Sequence, residues 1–140
     1  GDRMENAKEK TRINGIRMIP TEDEEQIWLF LWAKINSGKW PELELMHHIP
    51  NGGMRSKSEA ARFKAMGVKR GVSDVFLPVA KGGYHGLYIE LKAKDGRPEK
   101  EQKEWIAAVR EQGYYAAVCY GGYEASALVE AYIKGEVAKA

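Results

Sequence analysis

Two carboxylates and a lysine are the residues of this chain most suited to chemistry. In the run Leu87–Ala93, apolar residues alternate with others, so a strand would place Glu90 and Lys92 side by side on one face. Asp74 is the one charged residue in the otherwise uncharged stretch 71–78. Converging carboxylates and an ammonium group are suited to holding a hard cation such as Mg2+ and activating a water for attack on a phosphate.

A purely structural arrangement would also explain these three residues. A charge within an apolar strand is costly unless a partner satisfies it. Asp74 would then form a cross-strand ion pair with Lys92, and Glu90 would lie in solvent. The spacing alone leaves both interpretations open.

The elements around these residues predict one α/β domain. Thr21 and Glu24 have the spacing of a capping box and predict the start of a helix that ends near Gly38. Turn formers and changes of hydrophobic period divide the rest of the chain. The predicted order is α-β-α-β-β-α-β-α, a mixed sheet flanked by helices, with strands at 43–49, 72–79, 84–93 and 114–120. The later helices are predicted at 56–66, after the turn 95–98 with an end at Gln112-Gly113, and after Gly121-Gly122 with an end at Gly135.

Composition predicts a folded protein in the reducing cytoplasm. Hydrophobic residues make up 44% of the 140 and charged residues 30%, which excludes a chain disordered throughout. No run approaches the roughly 20 apolar residues of a membrane span, and the single Cys119 excludes an internal disulfide. We predict a flexible basic tail at 1–18, with a tag remnant at 1–3, and a single domain at 19–136.

The charges are unevenly distributed along the chain. Residues 51–72 contain six basic side chains and one acid, whereas the four residues 22–25 are all acidic. The basic segment favours an anionic partner and the acidic one a cation, although two solvated helix faces would show the same pattern.

A longer set of motifs resembles a known nuclease family. Gly71-Val72-Ser73-Asp74, followed after fifteen residues by Glu90-Leu91-Lys92, resembles the PD-(D/E)XK nuclease signature. The flanks 48–53, 55–71, 88–96 and 101–105 resemble the VRR-NUC (virus-type replication-repair nuclease) family, in particular its small stand-alone phage and prophage members. Ser73 stands where the signature has proline, a position with no direct chemistry. The resemblance implies the PD-(D/E)XK core, a mixed β-sheet flanked by helices.

The resemblance also implies roles for individual residues. Asp74, Glu90 and the backbone carbonyl of Leu91 would bind the metal, and Lys92 would be the catalytic lysine. Glu22 would supply a further metal-binding carboxylate, with Glu25 as the alternative. Gln102 would face the active site, unless it is simply an exposed helical glutamine. The residues predicted to bind nucleic acid are Asn51, Gly52, Arg55, Lys57, Lys69 and Arg70, although a plain turn explains Asn51-Gly52-Gly53 equally well.

The implied activity is a Mg2+-dependent endonuclease, with Mn2+ able to substitute, that cuts branched or Holliday-type DNA junctions. Alternatives are a flap, single-strand or duplex nuclease, or a non-catalytic nucleic-acid-binding module, against which the complete Asp and Glu-x-Lys set argues. No organic cofactor is predicted, and His47 and His48 lack the spacing of a zinc site. A homodimer would contact through Trp28, Leu29 and Trp32 of the first helix, unless these residues only complete the monomer core.

Overall fold

The computed structural model describes residues 12–50 and 56–138. Its centre is a four-stranded sheet in the order β3-β4-β5-β6, in which β3 and β4 and also β4 and β5 are antiparallel, and β5 and β6 are parallel. The mixed sheet confirms the predicted fold class. The strands are β3 (His47–His48), β4 (Val75–Leu77), β5 (Leu87–Lys92) and β6 (Tyr115–Tyr120).

Helices cover both faces of this sheet. Helices α1 and α4 contact each other and β5, whereas α3 packs on β6. The alternation of β5 explains the two layers, because Leu87, Ile89 and Leu91 join the core under α1 and α4, and Tyr88 packs in the cluster under α3. No helix among the described residues is both long and apolar enough to span a bilayer. The helices are α1 (Glu22–Asn36), α2 (Lys57–Ala65), α3 (Lys100–Glu111) and α4 (Gly122–Ile133).

A small hairpin lies within the segment 1–18 that the sequence predicted as an N-terminal tail. Strands β1 (Arg12–Ile13) and β2 (Ile16–Arg17) pair antiparallel, and the Arg17 guanidinium lies 2.9 Å from an oxygen of Asp95. The sequence feature that indicates this hairpin is Asn14-Gly15, whose positive φ angles of 52° and 77° suit a tight hairpin turn. Residues 1–11 of the predicted tail lie outside the described residues.

The predicted strand at 43–49 is wrong over its first half. Pro41–Leu45 forms a 3-10 helix with Pro41 at its first position, where the fixed proline φ suits a helical start. Within this turn, the side chain of Leu43 is buried and that of Leu45 is exposed. The apolar pattern that suggested a strand therefore comes from one helical turn. Only His47–His48 pairs with the sheet.

Candidate active site

The register of β4 against β5 brings the two predicted strand carboxylates together. Val75 lies opposite Ile89 at the last position of the ladder, so Asp74 and Glu90 follow side by side at its end. Beyond that pair, the Asp74 Oδ2 accepts a hydrogen bond of 2.9 Å from the backbone N–H of Leu91. This side-chain bond lies just before the start of β4, which is shorter than the predicted strand 72–79.

Helix α1 adds a third carboxylate to this end of the sheet. The capping box is present, because the Thr21 hydroxyl accepts from the N–H of Glu24 at 3.2 Å and the Glu24 carboxylate accepts from the N–H of Thr21. The cap starts the helix at Glu22. Oxygens of Glu22, Asp74 and Glu90 lie within 4.8 Å of one another.

Glu25, the alternative to Glu22, lies elsewhere. Its carboxylate packs against Gly121, where a Cβ would stand only 2.7 Å from Oε2. Among the described residues, the group of carboxylates close enough to share a metal includes Glu22 and not Glu25.

Lys92 lies between two of the three carboxylates. Its Nζ is 3.8 Å from Oε1 of Glu22 and 3.9 Å from Oε2 of Glu90, and only 9% of the side chain is exposed. Glu90 itself has no exposed surface. The structural alternative from the sequence, an Asp74–Lys92 pair with Glu90 in solvent, is therefore wrong.

The buried Glu90 carboxylate is the least satisfied group of the site. When ionised, neither of its oxygens accepts a hydrogen bond in the part of the chain that the structure describes, whereas the protonated group can donate one to Asp74. Burial is the main cause that raises its pKa to about 9, and the neighbouring Asp74 adds to the rise while Lys92 opposes it. Burial also raises the pKa of Glu22, again against the effect of Lys92.

These groups fit a hard divalent cation. Three carboxylates face one ammonium group, so a cation or a proton is needed to balance the charge in this buried place. Carboxylate oxygens are the ligands that Mg2+ and Mn2+ prefer. The N–H and C=O of a strand residue point to the same edge, so the Leu91 N–H bond to Asp74 turns the Leu91 carbonyl toward this side as well.

A cleft of about 450 Å3 opens beside Asp74 and contains Gln102. Gln102 is partly buried there, and its Oε1 accepts a 2.8 Å hydrogen bond from the N–H of Glu99 at the start of α3. Its amide group makes no hydrogen bond with any described residue and remains available as a donor in the cleft. The cleft is lined by Asp23, His48, Pro50, Arg70, Gly71, Val72, Asp74, Glu99 and Gln102.

The predicted DNA-binding residues are only partly near this cleft. Arg70 lines it and makes an exposed ion pair with Glu99 at 3.4 Å. Lys69 precedes it, and Lys57 is exposed at the start of α2. Asn51, Gly52 and Arg55 lie outside the described residues.

His48 is a cleft residue to which the sequence assigned no role. The Nδ1 of its ring lies 2.8 Å from the backbone carbonyl of Asp74, and the ring lines the cleft. His47 instead turns to Phe76, with the two rings edge to face at 5.7 Å. The pairing of β3 with β4 puts His48 beside Asp74, and only knowledge of that pairing could have indicated it.

The fold and this carboxylate–lysine site define a nuclease of the PD-(D/E)XK type. The sequence profile described as the VRR-NUC domain matches residues 16–122. A solved structure described as a VRR_NUC domain protein is 35% identical, with a TM-score of 0.74, and the match covers 86% of this chain and 98% of that one. The comparison with curated proteins gives no match. The chain belongs to the VRR-NUC domain family.

Proposed function

We propose that this protein is a divalent-metal-dependent endonuclease that cuts branched DNA, with four-way junctions as the leading substrate. The observation that carries the metal dependence is Glu90, a fully buried carboxylate whose oxygens accept no hydrogen bond from the described residues and which lies beside Asp74 and Glu22. Family membership supports DNA as the substrate. Cytoplasmic location and phage or prophage origin remain predictions from the sequence.

The side chains of the site divide the reaction between them. Glu22, Asp74, Glu90 and the Leu91 carbonyl would hold the ion, which when bound neutralises phosphate charge and lowers the pKa of water. Lys92, held by Glu22 and Glu90, directs its ammonium group to the same place and stabilises the attacking oxygen or the charge that develops on the phosphate. The Gln102 amide donates to water or to a phosphate oxygen in the cleft.

Cleavage of a panel of labelled DNAs tests this proposal. Linear duplex, flap, splayed-arm and four-way substrates of shared sequence are incubated with Mg2+, with Mn2+ or with EDTA. We expect cleavage with either metal, none with EDTA, and the highest rate on the four-way junction. Binding without cleavage under every metal condition would favour the non-catalytic module, and faster cutting of flaps would favour the flap nuclease.

The basic residues after α2 are expected to set the salt dependence of binding. Replacement of both Lys69 and Arg70 by Ala should lower the slope of log K against log salt by about 0.9 per lost phosphate contact, or about 1.8 in total, on duplex DNA. Because phosphate contacts carry no sequence information, the loss of affinity should be similar for every sequence.

A matched control removes two charges far from the cleft. Lys39 and Lys134 both lie over the ring of Trp40, near the opposite end of α1 from Glu22. The double Ala variant at these positions should keep the original slope. Equal slopes for all three proteins would show that Lys69 and Arg70 face away from DNA.

An apolar stripe on α1 supports a homodimer, with Leu29 excluded from the contacts that the sequence indicated. Leu29 is buried in the core, and Trp32 packs partly buried against Trp40. Trp28 is 41% exposed and lies beside Leu31 and Ile35 on the surface. Ile27, Leu31 and Ile35 are spaced four apart on one side of the helix and are 69%, 56% and 73% exposed. Such a stripe suits a second copy, and two copies would present the two cutting centres that a four-way junction needs.

Leu31→Glu is expected to separate such a dimer, because it places a charge in the centre of the stripe. Light scattering should change from the mass of two chains to that of one, and cutting of junctions should change from paired nicks to single nicks. Leu45→Glu, at an exposed apolar residue outside α1, is the control and should keep the mass of two chains. A wild-type mass of one chain would contradict the dimer.

A further inference from the structure

A second concave surface adjoins the cleft beside Asp74 and Gln102 (the metal cleft). It has a volume of about 630 Å3 and lies between α2 and the segment that follows this helix. Arg70 lines both this pocket and the metal cleft, so the two lie next to each other at this residue. The pocket is lined by Ala60, Lys64, Gly67, Val68, Lys69 and Arg70.

The pocket and the metal cleft differ in charge. The metal cleft is lined by Asp23, Asp74 and Glu99 against one arginine and a histidine, which repels a phosphate wherever a cation does not offset the acids. The pocket is lined by three cationic side chains and no acid. A DNA strand whose scissile phosphate lies at the three carboxylates is therefore attracted into the pocket on one side.

The pocket also has an apolar component that a phosphate does not use. Val68 is 39% exposed and lines the pocket, and Met66, two residues before it, is 65% exposed. The chain bends between them at Gly67, whose φ of 95° belongs to the left-handed region that favours glycine. The bend presents two apolar side chains to solvent within a basic segment.

The combination of cationic and apolar side chains indicates what kind of nucleotide fits the pocket. A paired duplex presents phosphate and sugar on its outside and keeps the apolar faces of its bases stacked within the helix. A concave surface with both cations and apolar side chains matches a nucleotide whose phosphate and base are accessible together, as in a single strand. Duplex backbone alone would need only the cations.

We propose that this pocket binds a nucleotide of the cut strand that is unpaired at a branch point, and so favours branched DNA over linear duplex. The inference rests on the proposed nuclease function and specifies its substrate. Val68 contacts the base or sugar, while Lys64, Lys69 and Arg70 bind the flanking phosphates. The ion pair of Arg70 with Glu99 does not prevent this, since both side chains are largely exposed and such pairs are weak.

Binding measurements on a cleavage-deficient background test the pocket apart from catalysis. With Asp74→Asn in every protein, fluorescence anisotropy compares a splayed-arm DNA with a linear duplex of the same paired sequence. Val68→Thr, which keeps the shape of valine but replaces one methyl group by a hydroxyl, and Val68→Ser should weaken splayed-arm binding by about three- to tenfold. Duplex affinity and both salt slopes should stay unchanged, because no charge is removed.

Further variants separate the two components of the pocket. Lys64→Ala should lower the salt slope on the splayed arm by about 0.7, the value for one phosphate contact on a single strand. Leu45→Ser, at an exposed apolar residue far from the pocket lining, should bind both DNAs as the parent does. Val68 lies outside the helices and strands and is partly exposed, so these changes should leave the fold intact.

Equal weakening on duplex and splayed arm, or no weakening on either, would overturn the pocket as a site for an unpaired nucleotide. That result is independent of the proposed function, which fails instead if the wild-type protein cuts no DNA with Mg2+ or Mn2+. The two failures are therefore distinguishable.

Discussion

Asp74→Asn is expected to reduce DNA cleavage by about a thousandfold or more, because a catalytic metal ion contributes several kcal/mol of transition-state stabilisation. The change replaces a charged oxygen ligand by a neutral amide at the centre of the carboxylate cluster. It can keep the hydrogen bond from the N–H of Leu91, because the amide oxygen still accepts. DNA binding through the basic segment should change little.

Single-turnover cleavage and anisotropy on the same junction measure the two effects separately. Asp23→Asn is the matched control, because Asp23 lines the same cleft but lies outside the carboxylate cluster. It should retain most of the activity. A similar fall in both variants would show that general cleft charge, rather than a ligand set, is responsible, and unchanged turnover of Asp74→Asn would refute the assignment.

Lys92→Ala should separate a catalytic lysine from a structural one. The variant removes the ammonium group that faces Glu22 and Glu90 but leaves all three carboxylates in place. Cleavage should fall by about a hundredfold or more, by analogy with the loss of one group that stabilises transition-state charge. Metal affinity, measured by calorimetry, should persist. Its loss together with cleavage would mean that Lys92 acts only by holding the carboxylates.

Glu90→Gln is expected to stabilise the metal-free protein, increasingly so as the pH rises. Burial raises the pKa of Glu90 from 4.5 to about 9, so folding takes up a proton between these values. The free energy of unfolding of the wild type should therefore fall as pH rises through this window, at up to about 1.4 kcal/mol per unit. A neutral glutamine has no such proton to take up.

Urea denaturation in EDTA at pH 5, 7 and 9 measures the difference. The two proteins should be similar at pH 5, where Glu90 is protonated in the folded state, and the glutamine variant should be clearly the more stable at pH 9. Mg2+ should reverse the order at pH 9, because it binds the ionised carboxylate and stabilises the folded wild type. Parallel stability curves in EDTA would show that Glu90 is ionised in the metal-free protein.

Local signals in the sequence were enough to predict many of the helices and strands. The capping box at Thr21 and Glu24 predicted the start of α1, and the alternation in 87–93 predicted a strand that carries Glu90 and Lys92 on one face. The order of helices and strands predicted the mixed sheet. Each of these depends on neighbours within a few residues, whose preferences act before any tertiary contact forms.

Short elements were predicted less well, because a few residues do not distinguish one period from another. Leu43 and Leu45 fit either a strand or one turn of helix, and the buried position of Leu43 decides for the helix. On α1, the apolar residues outnumber those that one core-facing stripe needs. Only the packing against α4 and the sheet decides that Leu29 is buried and Leu31 exposed.

The chemical state of the site was decided by the tertiary structure alone. The sequence of this chain determined which residue types stand near the end of β5, but it left open whether Lys92 pairs with Asp74 and whether Glu90 meets water. Tertiary packing buries Glu90 completely, and the start of α1 brings Glu22 to Lys92. Burial and contacts between charges depend on residues that are up to 70 positions apart in the sequence, as Glu22 and Lys92 are. A local sequence pattern contains no information on such contacts.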